Sequence, residues 1–160
     1  MKVKFKHLIG LSHPIPILEW KWEVISMDFI TCLPKTSRNR DAIMMVIENL
    51  SKVANFLAVK STNSASEVFQ FFIKKIMRLH GIPRKIISDR DANFILIFWK
   101  KLFVGLVIEL AFCTTYHTQR EKNGTNRILE DMWRIYVMHR PKKWEEYLPL
   151  SEFAYNNGYQ

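Results

Sequence analysis

The chain has 160 residues, 48% hydrophobic and 24% charged, which is enough for one domain with a buried core and excludes a disordered polymer. The formal net charge is +9, an excess that favours a polyanionic partner because neutralised phosphates release their counterions. Apolar runs such as Phe94 to Trp99 are too short to cross a bilayer, and the basic start MKVKFKHLIGL has no long apolar stretch or cleavage site, so no membrane partner, no secretion, and a nuclear or cytoplasmic location are expected. Cys32 and Cys113 belong to no CxxC or Cys/His cluster, which argues against a disulfide framework or a zinc site and predicts buried thiols.

Residues 1–23 read as a lead-in, with Lys2, Lys4 and Lys6, then Pro14 and Pro16, then Trp20 and Trp22; alternate prolines favour an extended path. Residues 24–160 read as the core domain. From Val24 the run VISMDFITCLP predicts a strand that Pro34 ends, and the polar SRNRD (37–41) predicts a turn. AIMMVIENL (42–50) and NFLAVKS (55–61) predict two more strands, and the short connections favour an antiparallel meander. In SASEVFQFFIKKIMRLH (64–80) the period changes: Val68, Phe72, Ile76 and Leu79 fall on one helical face, with Phe71 beside them. Ser64 and Glu67 form a capping-box pattern, and Gly81 and Pro83 stop the helix.

RKIIS (84–88) predicts a short buried strand, and ANFILIFWKKLFVGL (92–106) a helix for which Asp91 is the N-cap. IELAFC (108–113) predicts a strand, 114–123 a polar loop, 124–140 a helix ended by Pro141, and 143–157 a last helix bent before Pro149. The aromatic residues Trp99, Trp133, Trp144, Phe153 and Tyr155 sit at helical spacing, as core or interface residues do. Three strands followed by two reached through helical crossovers predict a mixed five-stranded sheet, three antiparallel strands plus two parallel, flanked by helices. This is an α/β fold in the ribonuclease H-like arrangement.

Two carboxylates stand out. Asp28 lies inside an apolar strand, on the face of Val24, Ser26 and Ile30; it either meets water at an edge or is compensated by a partner or a metal. Asp89 follows the strand KIIS at its carboxyl end, where open α/β sheets place ligands; it is either a turn residue or a ligand, and Asp91 is better placed as the helix cap. Carboxylates on neighbouring strands suit Mg²⁺ or Mn²⁺, which take hard oxygen ligands.

The runs MDFI, HGIP, SDRDANF, TNRILEDM and LPLSEFAYNN, within a match that covers nearly the whole chain, resemble the integrase catalytic core of gypsy-type long-terminal-repeat retrotransposons. The resemblance implies a two-metal Asp-Asp-Glu site for DNA integration by polynucleotidyl transfer, with Asp28 and Asp89 as the two aspartates. The chain departs from the pattern at the third position. The family loop reads approximately HPQTDGQTERTNRILEDM, whereas here it is YHTQREKNGTNRILEDM. Aligning on TNRILEDM puts Asn123 where the Glu is expected; counting from Asp89 puts Thr125 there. Neither is acidic, and Glu121 in the loop is the nearest substitute. Weakened binding of Mg²⁺ or Mn²⁺ and impaired catalysis are therefore expected. The alternative is a non-catalytic nucleic-acid-binding or oligomerising remnant of a transposable-element polyprotein.

The second-strand segment VIENLSKVANF (46–56) also departs from the family type VIVDRLTKSAHF at Glu48, Asn49 and Asn55, a pattern that reads as drift. Arg120, Lys122, Asn126 and Arg127, with Lys52, are the candidate contacts to DNA, both element ends and target; ordinary solvated charge is the other reading of each. The resemblance also implies a homodimer through helical faces, flanking domains outside this chain, and a core that continues past Gln160.

Overall fold

A computed structural model of the protein describes residues 20–88, 109–112 and 131–158. Five strands, β1 (Val24–Ile30), β2 (Ala42–Glu48), β3 (Ala54–Val59), β4 (Lys85–Ser88) and β5 (Glu109–Phe112), form one sheet in the order β3-β2-β1-β4-β5. β1 and β2 pair antiparallel, as do β2 and β3, while β4 runs parallel to both β1 and β5. The mixed five-stranded sheet expected from the element order is present. Tight connections allow only antiparallel neighbours at β1–β2–β3, whereas the long excursions before β4 and β5 return the chain in the same direction.

The alternation of side chains divides the core into two layers. On one face Ile25, Met27, Met44, Val46 and Ile86 pack with Val68, Phe72 and Ile76. The last three come from α1 (Ala65–Phe72) and the π-helical turn Ile73–Met77 that continues it. The capping box is formed: Ser64 Oγ accepts from the Glu67 amide, and the Glu67 carboxylate accepts from the Ser64 amide at 2.8 Å. A final turn, α2 (Arg78–His80), ends at Gly81, whose φ of +87° is a left-handed conformation that favours glycine. On the opposite face Ile30, Ile43, Met45 and Phe56 pack with Trp133, Val137, Trp144, Leu148 and Tyr155. These come from α3 (residues 131–139), a 3₁₀ turn at Trp144–Tyr147, and α4 (Leu148–Gly158). Trp133 and Trp144 are fully buried, as expected for core aromatics, but Phe153 is exposed; Trp99 lies outside the described residues.

Three expectations need correction. Leu79 is 63% exposed and does not share the face of Val68, Phe72 and Ile76. The π-helical turn is wider than an α-turn, so it delays the helical phase by about one residue and rotates the following side chains. β1 ends at Ile30 rather than at Pro34, and Cys32 is exposed rather than buried, because the chain turns out of the sheet there with φ +61°. The bend expected before Pro149 is present, since the last helix begins as a 3₁₀ turn and becomes α-helical at Leu148.

β3 is an edge strand, and its outward backbone groups are capped by side chains. Asn156 accepts from the Ala54 amide at 2.8 Å and donates to the Ala54 carbonyl at 3.0 Å, while Glu152 accepts from the Phe56 amide at 2.9 Å. Arg40 donates to the Ala58 carbonyl. Glu152 and Asn156 are one helical turn apart on α4, so a single helix closes an edge that would otherwise template pairing with another chain. Burial pushes the Glu152 carboxyl above its ordinary range, partly offset by the Phe56 amide and Lys75. Trp144 Nε1 donates to the Pro34 carbonyl at 2.7 Å, and Glu145 receives the Thr36 hydroxyl at 3.1 Å and Arg40 at 3.2 Å, fastening the β1–β2 connection to the same helical layer.

Asn156→Leu leaves the Ala54 amide and carbonyl unpaired against an apolar side chain. It is expected to cost about 1–3 kcal/mol for each group left buried without a partner, read as a lower urea midpoint; an unchanged midpoint would show that α4 does not close the edge. Glu48 closes the β2–β3 turn, accepting from the Leu50 amide at 2.8 Å and the Ser51 amide at 2.5 Å. Burial alone would raise its proton affinity, but the hydrogen bonds from Ser51 and Leu50 outweigh it and lower the Glu48 pKa from 4.5. A carboxylate with a lowered folded pKa contributes stability above its unfolded value that is lost as pH falls through the folded one. Glu48→Gln should therefore reduce stability at neutral pH and flatten its decline below about pH 4.5, measured by thermal melts across pH.

Candidate metal centre

Asp28 sits in β1, the central strand, between β2 and β4. Its register partner in β2 is Met45 and its face is that of Ile30, the α3 side of the sheet, as alternation predicts. The side chain is half-buried, and Oδ1 accepts a 2.8 Å hydrogen bond from the Phe29 amide. The edge position considered for Asp28 is not what the fold provides, since strands flank β1 on both sides.

The register of β4 is set beside β1 from its amino end. The Glu23 carbonyl accepts from the Arg84 and Lys85 amides at 2.8 and 3.0 Å, and the Glu23 carboxylate pairs with Arg84 at 3.0 Å. The Trp22 and His80 rings stack at 3.6 Å with 8° between their planes. Burial lowers the proton affinity of His80. The HGIPRK segment is thereby tied to WKWE, and parallel pairing runs from Val24↔Lys85 to Met27↔Ser88. β4 thus ends at Ser88, level with the residue before Asp28. Ser88 is fully buried, and its Oγ has no hydrogen-bond partner among the described residues.

Asp89 is the next residue in the chain and lies outside the described residues, as do Asn123, Glu121, Thr125, Arg120, Lys122, Asn126 and Arg127. α3, which covers the Asp28 face, continues the segment that carries them in sequence. Among the described residues, no three His, Cys, Asp or Glu side chains form a cluster able to hold a metal ion. Lys52 is exposed in the β2–β3 turn with φ +60°. That turn lies at the amino end of β1, since Glu48 pairs with Ile25, so the fold does not bring Lys52 to Asp28.

Sequence reasoning missed the roles of Glu48 and Asn49. Both are engaged rather than idle: Glu48 clamps the β2–β3 turn, and Asn49 accepts from Ser26 Oγ at 2.7 Å while its amide donates to the Val24 carbonyl at 3.0 Å. A Glu at the end of an apolar strand, directly before the polar Asn49 and Ser51, was the available signal. Glu152 and Asn156 were also missed as a pair, although two polar residues four apart in the apolar LPLSEFAYNN run point to one shared partner strand.

No protein-family profile matches the chain. A search of curated proteins finds the Transposon Tf2-3 polyprotein of Schizosaccharomyces pombe, 30% identical over 151 residues that make up 93% of this chain. The chain spans about a tenth of that relative's length, 11%. Among solved structures, the HTLV-2 integrase catalytic core domain in complex with magnesium matches in a dimeric form with TM-score 0.50, at 15% identity and covering 76% of each chain. Its trimeric form matches with TM-score 0.54, at 13% identity, over 82% of this chain and 83% of the other. A simian T-cell lymphotropic virus intasome in complex with the PP2A regulatory subunit B56 gamma matches with TM-score 0.53, at 15% identity, over 84% of this chain and 47% of that one. At such identities the structures establish the fold, and the polyprotein match establishes descent. The chain is a homologue of a segment of transposon polyproteins and has the fold of the HTLV-2 integrase catalytic core domain.

Proposed function

We propose that this domain acts in DNA integration by polynucleotidyl transfer, with Asp28 and Asp89 holding a divalent cation, and that its chemistry is impaired because Asn123 stands where a third carboxylate is expected. The observation that carries the reading is the position of Asp28. It is a half-buried carboxylate on the central strand, beside a parallel strand whose last residue directly precedes Asp89 in the chain. Ile86 packs in the α1-side core, so the alternation of β4 makes the α3 side, that of Asp28, the expected face for Asp89.

The donor set fits a hard cation. Two carboxylates and an amide oxygen offer only oxygen ligands, as Mg²⁺ and Mn²⁺ prefer. A bound ion supplies Lewis-acid stabilisation of charge on the attacking and leaving oxygens of an in-line phosphoryl displacement. The chain's own residues do the rest. β1 fixes the direction of the Asp28 carboxylate, and the sheet core behind it resists displacement. Arg120, Lys122, Asn126 and Arg127 position the phosphate backbones of element ends and target without reading sequence. Lys52 sits at the amino end of β1, too far along the sheet to act at Asp28.

An amide at the third position adds no negative charge, so the cation is held weakly. Glu121 is the nearest acid in sequence and the alternative third ligand. Relatives of the fold in dimeric and trimeric forms support self-association of this chain as part of the same reading. No helix among the described residues is long and apolar enough to cross a membrane, and we place the domain's work in the nucleus or cytoplasm.

A disintegration assay in Mn²⁺ and Mg²⁺ tests this. The wild-type chain should be weak, Asn123→Glu should raise the rate by roughly a thousandfold, the equivalent of several kcal/mol of lost Lewis-acid stabilisation, and Asp28→Asn should abolish what remains. A wild-type rate already equal to that of Asn123→Glu would remove the claim of impairment. Salt-sensitive DNA binding with no reaction in either variant would favour a non-catalytic nucleic-acid-binding remnant.

A further inference from the structure

A cavity lies at the β3 margin of the sheet, two strands from β1. It opens between the end of β3 and the outer face of α1, has a volume of about 340 Å³, and is lined by Arg40, Lys60, Gln70, Phe71 and Lys74. Its charge is positive. The one acid on its wall, Glu67, is held by the Ser64 amide at 2.8 Å and the Asn63 side-chain amide at 3.2 Å as part of the α1 cap. Neither Lys60 nor Lys74 has a carboxylate within ion-pair distance among the described residues, and both are exposed.

Arg40 is pre-positioned there. Its guanidinium lies over the Phe71 ring at 5.8 Å, donates to the Ala58 carbonyl, and pairs through Nε with Glu145 at 3.2 Å. A planar guanidinium has five N–H donors, so these contacts leave others for an oxyanion. A fixed Arg, an amide and two flexible ammonium groups, of which Lys60 also acts on the Glu67 charge from beyond ion-pair distance, match the tetrahedral, multiply accepting surface of a phosphate.

We propose that this cavity binds a phosphate of a nucleic-acid backbone, as a second contact point remote from the Asp28 site. Taking nucleic acid as the source of the phosphate rests on the integration reading above and on the net charge of +9. β3 lies two strands from β1, about 10 Å at ordinary strand spacing, and α1 packs on the face opposite Asp28. A strand held here is therefore not the segment reacting at Asp28 but a neighbouring arm of DNA, or DNA bound by another copy.

The test is DNA binding by fluorescence anisotropy in EDTA, where no chemistry can occur, at several salt concentrations. Lys60→Glu with Lys74→Glu should lose at least tenfold in affinity, and the slope of log affinity against log salt should fall by about two, one per contact. Equal affinity and slope would overturn the proposal. Lys60→Gln with Lys74→Gln repeats the measurement with less charge change, and matching melting temperatures exclude misfolding. In an NMR titration, the oligonucleotide should shift the amides of Lys60, Gln70 and Lys74; shifts from a mononucleotide but none from the oligonucleotide would contradict a backbone site. The integration reading fails separately, through the Mn²⁺ assay with Asp28→Asn, because neither lysine is near Asp28.

Discussion

A carboxylate in the middle of an apolar central strand is the constraint around which this fold is organised. Asp28 cannot be displaced toward water without breaking the pairing of β1 on both sides, since β2 holds it antiparallel and β4 parallel. A charge placed there has to be compensated locally. Part of that compensation is visible in the Phe29 amide. The parallel register of β4 matters because it determines which residue comes level with Asp28, and Glu23, Arg84, Trp22 and His80 hold that register from the opposite end of the strands.

The surrounding structure keeps this strand arrangement rigid by closing its open side. β3 is the exposed margin of the sheet, yet Glu152, Asn156 and Arg40 occupy its outward hydrogen-bonding groups. The α4 helix thus does two jobs. Its apolar residues Leu148 and Tyr155 complete the core on the Asp28 face, and its polar pair seals the edge. Phe153, on the same helix, is 67% exposed and belongs to neither job.

Much of this architecture can be read from the residues. The capping box at Ser64 and Glu67, the stop at Gly81, the meander and the parallel crossovers follow from local chemistry and connection length, and the structure has them. What could not be read has physical causes. The π-helical turn at Ile73–Met77 leaves no mark in a period count, so Leu79 was assigned to a face it does not share. Cys32 is expected to be buried because it belongs to no Cys/His cluster, but a positive-φ turn carries it outward. Asn49 reads as drift because its partner Ser26 is 23 residues away in sequence, whereas Glu48 bonds locally to the turn that follows it. For the site, alternation gave the face of Asp28 correctly, whereas the convergence of Asp89, Asn123 and Glu121 with it falls outside the described residues.

The central claim is that Asp28 and Asp89 together bind a divalent cation. Paramagnetic broadening by Mn²⁺ of the amides of Met27, Phe29 and Ser88 measures it most directly. The account predicts broadening centred on these residues in the wild type, lost in both Asp28→Asn and Asp89→Asn with the fold retained. Broadening that survives either substitution, or that centres elsewhere on the surface, would contradict it.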